Sequence, residues 1–215
     1  MKATRHFTLI DRFCLQFDQA LRSITGTNPT TGRANPAVNL AEDSLTATER
    51  RQSAALMRIN HAGEICAQAL YHGQTLSSRS KALQAQLQQA ALEEGDHLTW
   101  CRERLTELHS HTSYLNPFWY VGSFCIGLAA GLAGDQWSLG FVAETERQVV
   151  KHLDKHLHTL APQDQRSHSI LAQMKIDEAI HRHDALEAGA HTLPRPIQIA
   201  MTFTSKVMVT TASRI

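Results

Sequence analysis

ALEEGDHLTW, residues 91–100, is the stretch from which the fold follows. It contains Glu94-x-x-His97, two residues three apart that share one face of a helix. The same face carries Leu87, Ala90, Ala91, Leu98 and Cys101, so the carboxylate lies inside an apolar stripe. A second Glu-x-x-His stands at Glu178 and His181, with Ile170, Leu171, Met174 and Ala185 on its side and Lys175 and Arg182 intruding. With 11 glutamates and 13 histidines, about 0.7 such motifs are expected by chance, so the pair alone decides little. A further glutamate one helix upstream of each motif sharpens the pattern: Glu64 lies 30 residues before Glu94, and Glu146 lies 32 before Glu178. Glu146 sits in a clean stripe of Leu139, Val142, Ala143, Val149, Val150 and Leu153. The stripe of Glu64 is weaker, with Met57, Ala67 and Tyr71 beside Asn60, His61 and Gln68.

One glutamate from each of two helices plus one Glu-x-x-His from each of two others is the inward-facing set of a dinuclear metal site in a four-helix bundle. Four converging carboxylates in an apolar interior repel one another and lose their hydration, and a pair of cations removes both problems. Carboxylate and imidazole without thiolate suit iron or manganese better than structural zinc, and open coordination positions permit oxygen chemistry. Glu93, beside Gln86, Gln89 and Asp96, and Glu144, beside Arg147, Gln148 and Lys151, read as solvated neighbours. Asp96 is either a surface acid or the residue that orients a ligand histidine through its second ring nitrogen. His61, His152, His156, His158 and His183 are weaker ligand candidates, with His152 and His156 placed on a hydrated face. Any one of these residues alone is more often a surface group than a ligand; the constellation of six carries the reading. The competing reading is a helical bundle with polar seams.

Working outward, Thr46-x-x-Glu49 is a capping box that opens a helical pattern to about Leu76, and a second pattern runs from about Lys81 to His109. Further patterns occupy roughly residues 136–160 and 163–189, and a last amphipathic stretch follows Pro194 and Pro196. Residues 6–24 carry helical spacing, whereas 25–44, rich in Gly, Pro and Asn with little to bury, read as a linker or surface loop. No segment alternates as a strand does. The connection between the second and third bundle helices is long and contains the uncharged run Thr112–Gly134, with Asn116 as N-cap and Pro117 in the first turn. The predicted architecture is all-α: a ferritin-like four-helix bundle over residues 46–215, with a long crossover carrying an extra apolar helix and a C-terminal helix, preceded by an N-terminal helix and linker over 1–45. The uncharged run is 23 residues long, enough to span a bilayer, but its glycines suit close helix packing, and a membrane-embedded or substrate-lining helix is preferred over a true span.

Composition narrows the function classes. Lys plus Arg number 21 against 20 Asp plus Glu, so nothing favours nucleic acid as a partner. The four cysteines are scattered without a Cys-x-x-Cys pair and read as reduced thiols. The N-terminal residues are interrupted by Asp11, Arg12 and Asp18 before any signal-like apolar run develops, so export is not expected.

Asn60-His61-Ala62-Gly63-Glu64, Glu94-Gly95-Asp96-His97-Leu98, Pro117-Phe118-Trp119 and Asp177-Glu178 with His181 together resemble the demethoxyubiquinone hydroxylases of ubiquinone biosynthesis, over roughly residues 50–215. The resemblance implies a ferritin-like di-iron monooxygenase with Glu64 and His97 as terminal ligands of one iron, Glu146 and His181 of the other, and Glu94 and Glu178 bridging. It further implies two iron ions, O2 as co-substrate, an electron donor for which NADH is the candidate, and a polyprenyl methoxy-methyl-benzoquinol as substrate. A peripheral location on the cytoplasmic face of the cell membrane follows, together with assembly as a homo-oligomer or within a ubiquinone-biosynthesis complex. The greasy tail would lie along the segment 117–134 and the C-terminal helix. Two points need a choice: Glu144-Thr145-Glu146 stands where the family often has adjacent glutamates, and the apolar stripe selects Glu146; and Leu153 follows His152 where the family often has an aromatic. The alternatives from other classes are a ferritin-like iron storage or detoxification protein and a non-enzymatic quinone-binding scaffold.

Overall fold

Two threonines, each followed three residues later by an acid, start the first two helices. In the computed structural model, which describes residues 8–41 and 44–215, the Thr8 hydroxyl accepts from the Asp11 amide while the Asp11 carboxylate accepts from the Thr8 amide. Thr46 and Glu49 form the same reciprocal pair. Helix α1 spans Leu9–Thr25 and α2 spans Ala47–Ser77; α3 (Lys81–Glu107), α4 (Asn116–Leu132), α5 (Asp135–Thr159), α6 (Gln165–Glu187) and α7 (Arg195–Ala212) follow. No strand occurs among the described residues, and the all-α expectation holds. Residues 6–7 of the expected first helix and residues 42–43 of the expected linker lie outside the described residues.

The bundle consists of α2, α3, α5 and α6, joined as two hairpins, α2 with α3 and α5 with α6, and the long crossover between them carries α4. Its interior is filled at one end by Met57, Leu105, Leu153, Ile170, Leu171 and Met174, none more than 1% exposed. Each such side chain contributes about 2 kcal/mol of apolar burial. Arg104, fully buried, fixes α3 against the start of α6: its Nε donates to Ser167 Oγ at 2.9 Å and its Nη2 to Asp164 Oδ1 at 2.8 Å. A buried guanidinium is tolerated because its fork is matched by acceptors on every side.

The crossover helix lies along α2, and glycine lets the two backbones meet. A Cβ on Gly127 would come within 2.3 Å of the Leu70 carbonyl oxygen, and one on Gly73 within 2.3 Å of that of Phe124. The expected N-cap is corrected by one residue: Leu115 is the cap and makes no side-chain bond, while Asn116 is the first helical residue. Asn116 is buried, with its amide nitrogen 3.5 Å from His61 Nδ1, so its side chain serves a tertiary contact rather than the helix end. Pro117 occupies the following position, where its missing N–H has no helical partner to lose.

Trp119 of α4 and Met208 and Val209 of α7 pack together against Ile59, Ala62 and Ala212. Their outer faces remain apolar and uncovered: Phe118 is 73% exposed, and Phe203 is 69% exposed. No helix among the described residues is long and apolar enough to cross a membrane.

The segment expected to be a linker is irregular but not idle. Ala37 is 1% exposed within the main core cluster, and the chain from Asn28 to Leu40 lies across α3 and α6. Apart from Ala37, docking there is carried by polar bonds, which a search for apolar spacing does not register.

Candidate metal centre

Each bundle helix sends a carboxylate or an imidazole inward: Glu64 from α2, Glu94 and His97 from α3, Glu146 from α5, Glu178 and His181 from α6. All six are buried, and Glu94, His97 and Glu146 are entirely inaccessible. Ligand atoms of Glu64, Glu94, His97 and Glu178 all lie within 4.8 Å of one another. His181 Nδ1 flanks this group, 3.4 Å from Glu94 Oε1 and 3.2 Å from Glu178 Oε2. Glu146 lies close enough to Glu178, Glu94 and His181 for their charges to shift its proton affinity.

Glu94 and Glu178 each divide their two oxygens between the two histidines. His97 Nδ1 is 3.1 Å from Glu94 Oε2 and 3.2 Å from Glu178 Oε1, while His181 Nδ1 faces the opposite oxygen of each. Glu64 Oε2 stands 3.7 Å from His97 Nδ1, and Glu146 accepts a hydrogen bond from the Tyr71 hydroxyl at 2.5 Å. Glu64 therefore stands on the His97 side, while Glu146 feels the charge of His181.

The outward nitrogens of both imidazoles are held by acids that sequence reasoning missed. His97 Nε2 bonds Asp177 Oδ2 at 2.8 Å, and His181 Nε2 bonds Glu93 Oε2 at 2.7 Å. A signal existed: each motif reads acid-Glu-x-x-His, Glu93-Glu94 on α3 and Asp177-Glu178 on α6, and each leading acid holds the histidine of the other helix. This cross-bracing keeps both Nδ1 atoms pointed inward, since the acid takes the Nε2–H and fixes the tautomer.

Several expectations are corrected. Glu93 is not merely solvated, because it anchors His181. Glu144 is only 8% exposed, yet it points away from the centre and pairs with Arg147 at 2.7 Å and with Gln148 at 2.8 Å. Asp96 is buried but touches neither histidine; it accepts from the amides of Thr31 and Gly32, from the Thr31 hydroxyl and from Arg33 Nε. His156 is buried rather than on a hydrated face, its Nδ1 3.0 Å from Asn60 Oδ1, and burial lowers its pKa to about 4. His61 is likewise held neutral by burial and by Arg102, at about 3. Leu153 is fully buried in the core, and the hydroxyl that reaches the centre comes instead from Tyr71 on α2.

The donor set fits metal cations. Glu146 Oε2 is buried without a hydrogen-bond donor among the described residues, and Glu94 Oε1 and Glu178 Oε1 make no hydrogen bond there and face histidine Nδ1 atoms; a cation satisfies such oxygens. Burial, reinforced by Glu94 and Glu178, raises Glu64 and Glu146 well above the carboxylate range. The surrounding carboxylates overcome burial at His97 and His181 and raise both imidazoles. Protons and metal ions thus compete for the same atoms, so metal affinity should rise with pH and loading should release protons. Titration calorimetry in buffers of different ionisation enthalpy measures this release; an affinity and heat indifferent to pH and buffer would contradict the competition.

An all-helical bundle that buries four carboxylates and two imidazoles in its interior is the arrangement of a ferritin-like protein, and its Glu64, Glu94, His97 and Glu178 cluster fits a metal centre. The profile of the family described as ubiquinone biosynthesis protein COQ7 matches residues 51–212, and the chain belongs to that family. It is 54% identical over 208 residues to a 3-demethoxyubiquinol 3-hydroxylase of Nitrosococcus oceani, covering 97% of each chain. A relative of the same name from Polynucleobacter necessarius is 56% identical over 207 residues, 96% of this chain and 99% of the relative. One from Acinetobacter baumannii is 54% identical over 208 residues, 97% and 98% respectively.

Proposed function

We propose that this chain is a 3-demethoxyubiquinol 3-hydroxylase: a di-iron monooxygenase that hydroxylates a polyprenyl methoxy-methyl-benzoquinol in ubiquinone biosynthesis. The observation that carries this reading is the division of Glu94 and Glu178 between the two histidines, in a chain matched end to end by relatives bearing that activity as their name. Glu64 and His97 would hold one iron, Glu146 and His181 the other, with Glu94 and Glu178 between them. Iron held there supplies the redox capacity to use O2 as co-substrate. The reaction places one oxygen atom in a ring C–H bond as hydroxyl and releases the other as water, consuming two electrons from an external donor, for which NADH is the candidate, and two protons, of which NADH brings one and solvent the other.

The protein's own contribution is positional. Asp177 and Glu93 hold the imidazoles with Nδ1 inward, and Tyr71 fixes one oxygen of Glu146. Burial of the six side chains, the most exposed of them His181 at 8%, limits the contact of bulk water with them. In a strain lacking the gene, the demethoxy quinone should accumulate and the full-length chain should remove it, as read by mass spectrometry of extracted quinones. Accumulation of an earlier or later intermediate would refute the assignment.

A peripheral seat on the cytoplasmic face of the cell membrane accompanies this function, because the substrate tail is lipid-soluble. The exposed apolar faces of α4 and α7, with Phe118 and Phe203 outermost among them, support it. The protein should co-float with phospholipid vesicles, and the double variant Phe118→Asp, Phe203→Asp should shift it to the soluble fraction. Equal flotation of both would place the contact elsewhere.

A further inference from the structure

We propose that residues 28–40 form a strap whose Arg33 is a positioning residue for the metal ligand His97. Arg33 joins the two helices that carry the Glu-x-x-His motifs: its Nε donates to Asp96 Oδ2 of α3 at 3.1 Å, and its Nη2 to Asp177 Oδ2 of α6 at 2.9 Å. That same Asp177 oxygen accepts from His97 Nε2, while Gln173 holds the other at 3.0 Å. The guanidinium also lies 5.2 Å above the Trp100 ring, which itself packs at 5.4 Å against His97. Arg33 thus reaches His97 by two routes, through a shared carboxylate and through an indole. A planar guanidinium presents its donors in a fixed fork, so it can serve two acids in set directions while its face lies on an indole, which a point-charge ammonium does less well.

The site is shaped to receive the strap. Gly95, inside the first motif, leaves room that a side chain would fill, because a Cβ there would stand 2.1 Å from the Pro29 carbonyl oxygen. Asp96, next in sequence, collects the amides of Thr31 and Gly32 and the Thr31 hydroxyl. Farther along, Asn35 Nδ2 donates to Glu103 Oε2 at 2.7 Å and Arg166 Nη1 to the Leu40 carbonyl at 2.6 Å. Glycine and aspartate between Glu94 and His97 are therefore the docking seat of a segment more than sixty residues away in sequence.

Two effects of removing Arg33 have opposite signs. Loss of a cation near the centre favours metal binding through space, but Arg33 is 37% exposed and its field is screened. Loss of the brace frees Asp177 and the ring it orients, and disturbing such outer partners typically weakens metal binding about 10- to 100-fold. The brace dominates, though Arg33 stands one step beyond Asp177, so the affinity should fall by roughly 3- to 10-fold.

This inference rests on the metal-centre reading, and a double-mutant cycle on the full-length protein separates the two. Ferrous ion binding is measured anaerobically for wild type, Arg33→Ala, Asp177→Asn and the double variant. Arg33→Ala should weaken binding in the wild-type background and weaken it clearly less once Asp177 is changed, because only the route through Trp100 then remains. Equal or tighter binding by Arg33→Ala, or equal losses in both backgrounds, would overturn the positioning role while leaving the centre intact. Wild-type protein that binds no iron would overturn both. In wild-type protein, ferrous ion should also slow trypsin cleavage after Arg33, since linkage is reciprocal; unchanged cleavage in a protein that binds iron would count against the strap.

Discussion

Glu178→Ala, and equally Glu94→Ala, should leave the protein without stoichiometric iron and without detectable turnover. Each of these carboxylates faces both histidines, so its loss removes a donor from both halves of the centre at once. Fold damage predicts the same loss of activity, but the metal-free protein tells the two apart. Without cations, Glu94 and Glu178 are opposed by burial and by their acidic neighbours but are also paired with His97 and His181, so removing one acts on the metal-free protein with both signs and should leave its helical circular-dichroism spectrum unchanged. The gain in stability on adding iron should vanish. Normal turnover by either variant would refute its bridging position. Glu144→Ala, which breaks only the pairing with Arg147 and Gln148, should retain iron and activity, and loss of iron there would move the α5 ligand from Glu146.

Asp177→Asn should weaken iron binding about 10- to 100-fold with the bundle intact, or roughly 1.4 to 2.7 kcal/mol. The amide keeps the shape of the acid but cannot serve as an ionised acceptor for His97 Nε2 and Arg33 Nη2 together. Hydrogen bonds from His97 and Arg33 outweigh burial and hold Asp177 at about 2, so the wild-type acid is charged throughout the working pH range. Glu93→Gln should have the same sign and a smaller effect, since the Glu93 side chain is 26% exposed and water can replace part of its bond to His181. Ferrous ion titrations of both variants measure the difference. A Glu93 effect larger than that of Asp177 would contradict this ranking.

The bundle and its inward groups were legible in the sequence because both depend on short-range periodicity. Glu94 and His97, or Glu178 and His181, share a helical face by spacing alone, and the stripe around Glu146 distinguished it from Glu144 two residues earlier. Helix limits followed from local chemistry, such as the Thr46–Glu49 box.

Pairings across long separations were not legible from helical period, even though both motifs carry a leading acid. Asp177 meets His97 across 80 residues and Glu93 meets His181 across 88, and nothing in helical period reports such pairing. The reading of Glu93 as solvated relied on its own helix, whereas its partner belongs to α6. Residues 28–40 were set aside because they lack apolar spacing, yet they dock through Asp96 and Asp177 by charge and backbone bonds. Asn116 matched a cap by residue type, but burial beside His61 gave it another role.

Diffraction from crystals of the full-length protein loaded anaerobically with ferrous iron, with anomalous differences collected at the iron edge, tests the central claim most directly. Two peaks roughly 3.5 to 4 Å apart should lie between the Glu94 and Glu178 carboxylates, one beside Nδ1 of His97 and the other beside Nδ1 of His181. A single peak, or iron bound only at surface histidines with these six side chains free of metal, would contradict the account.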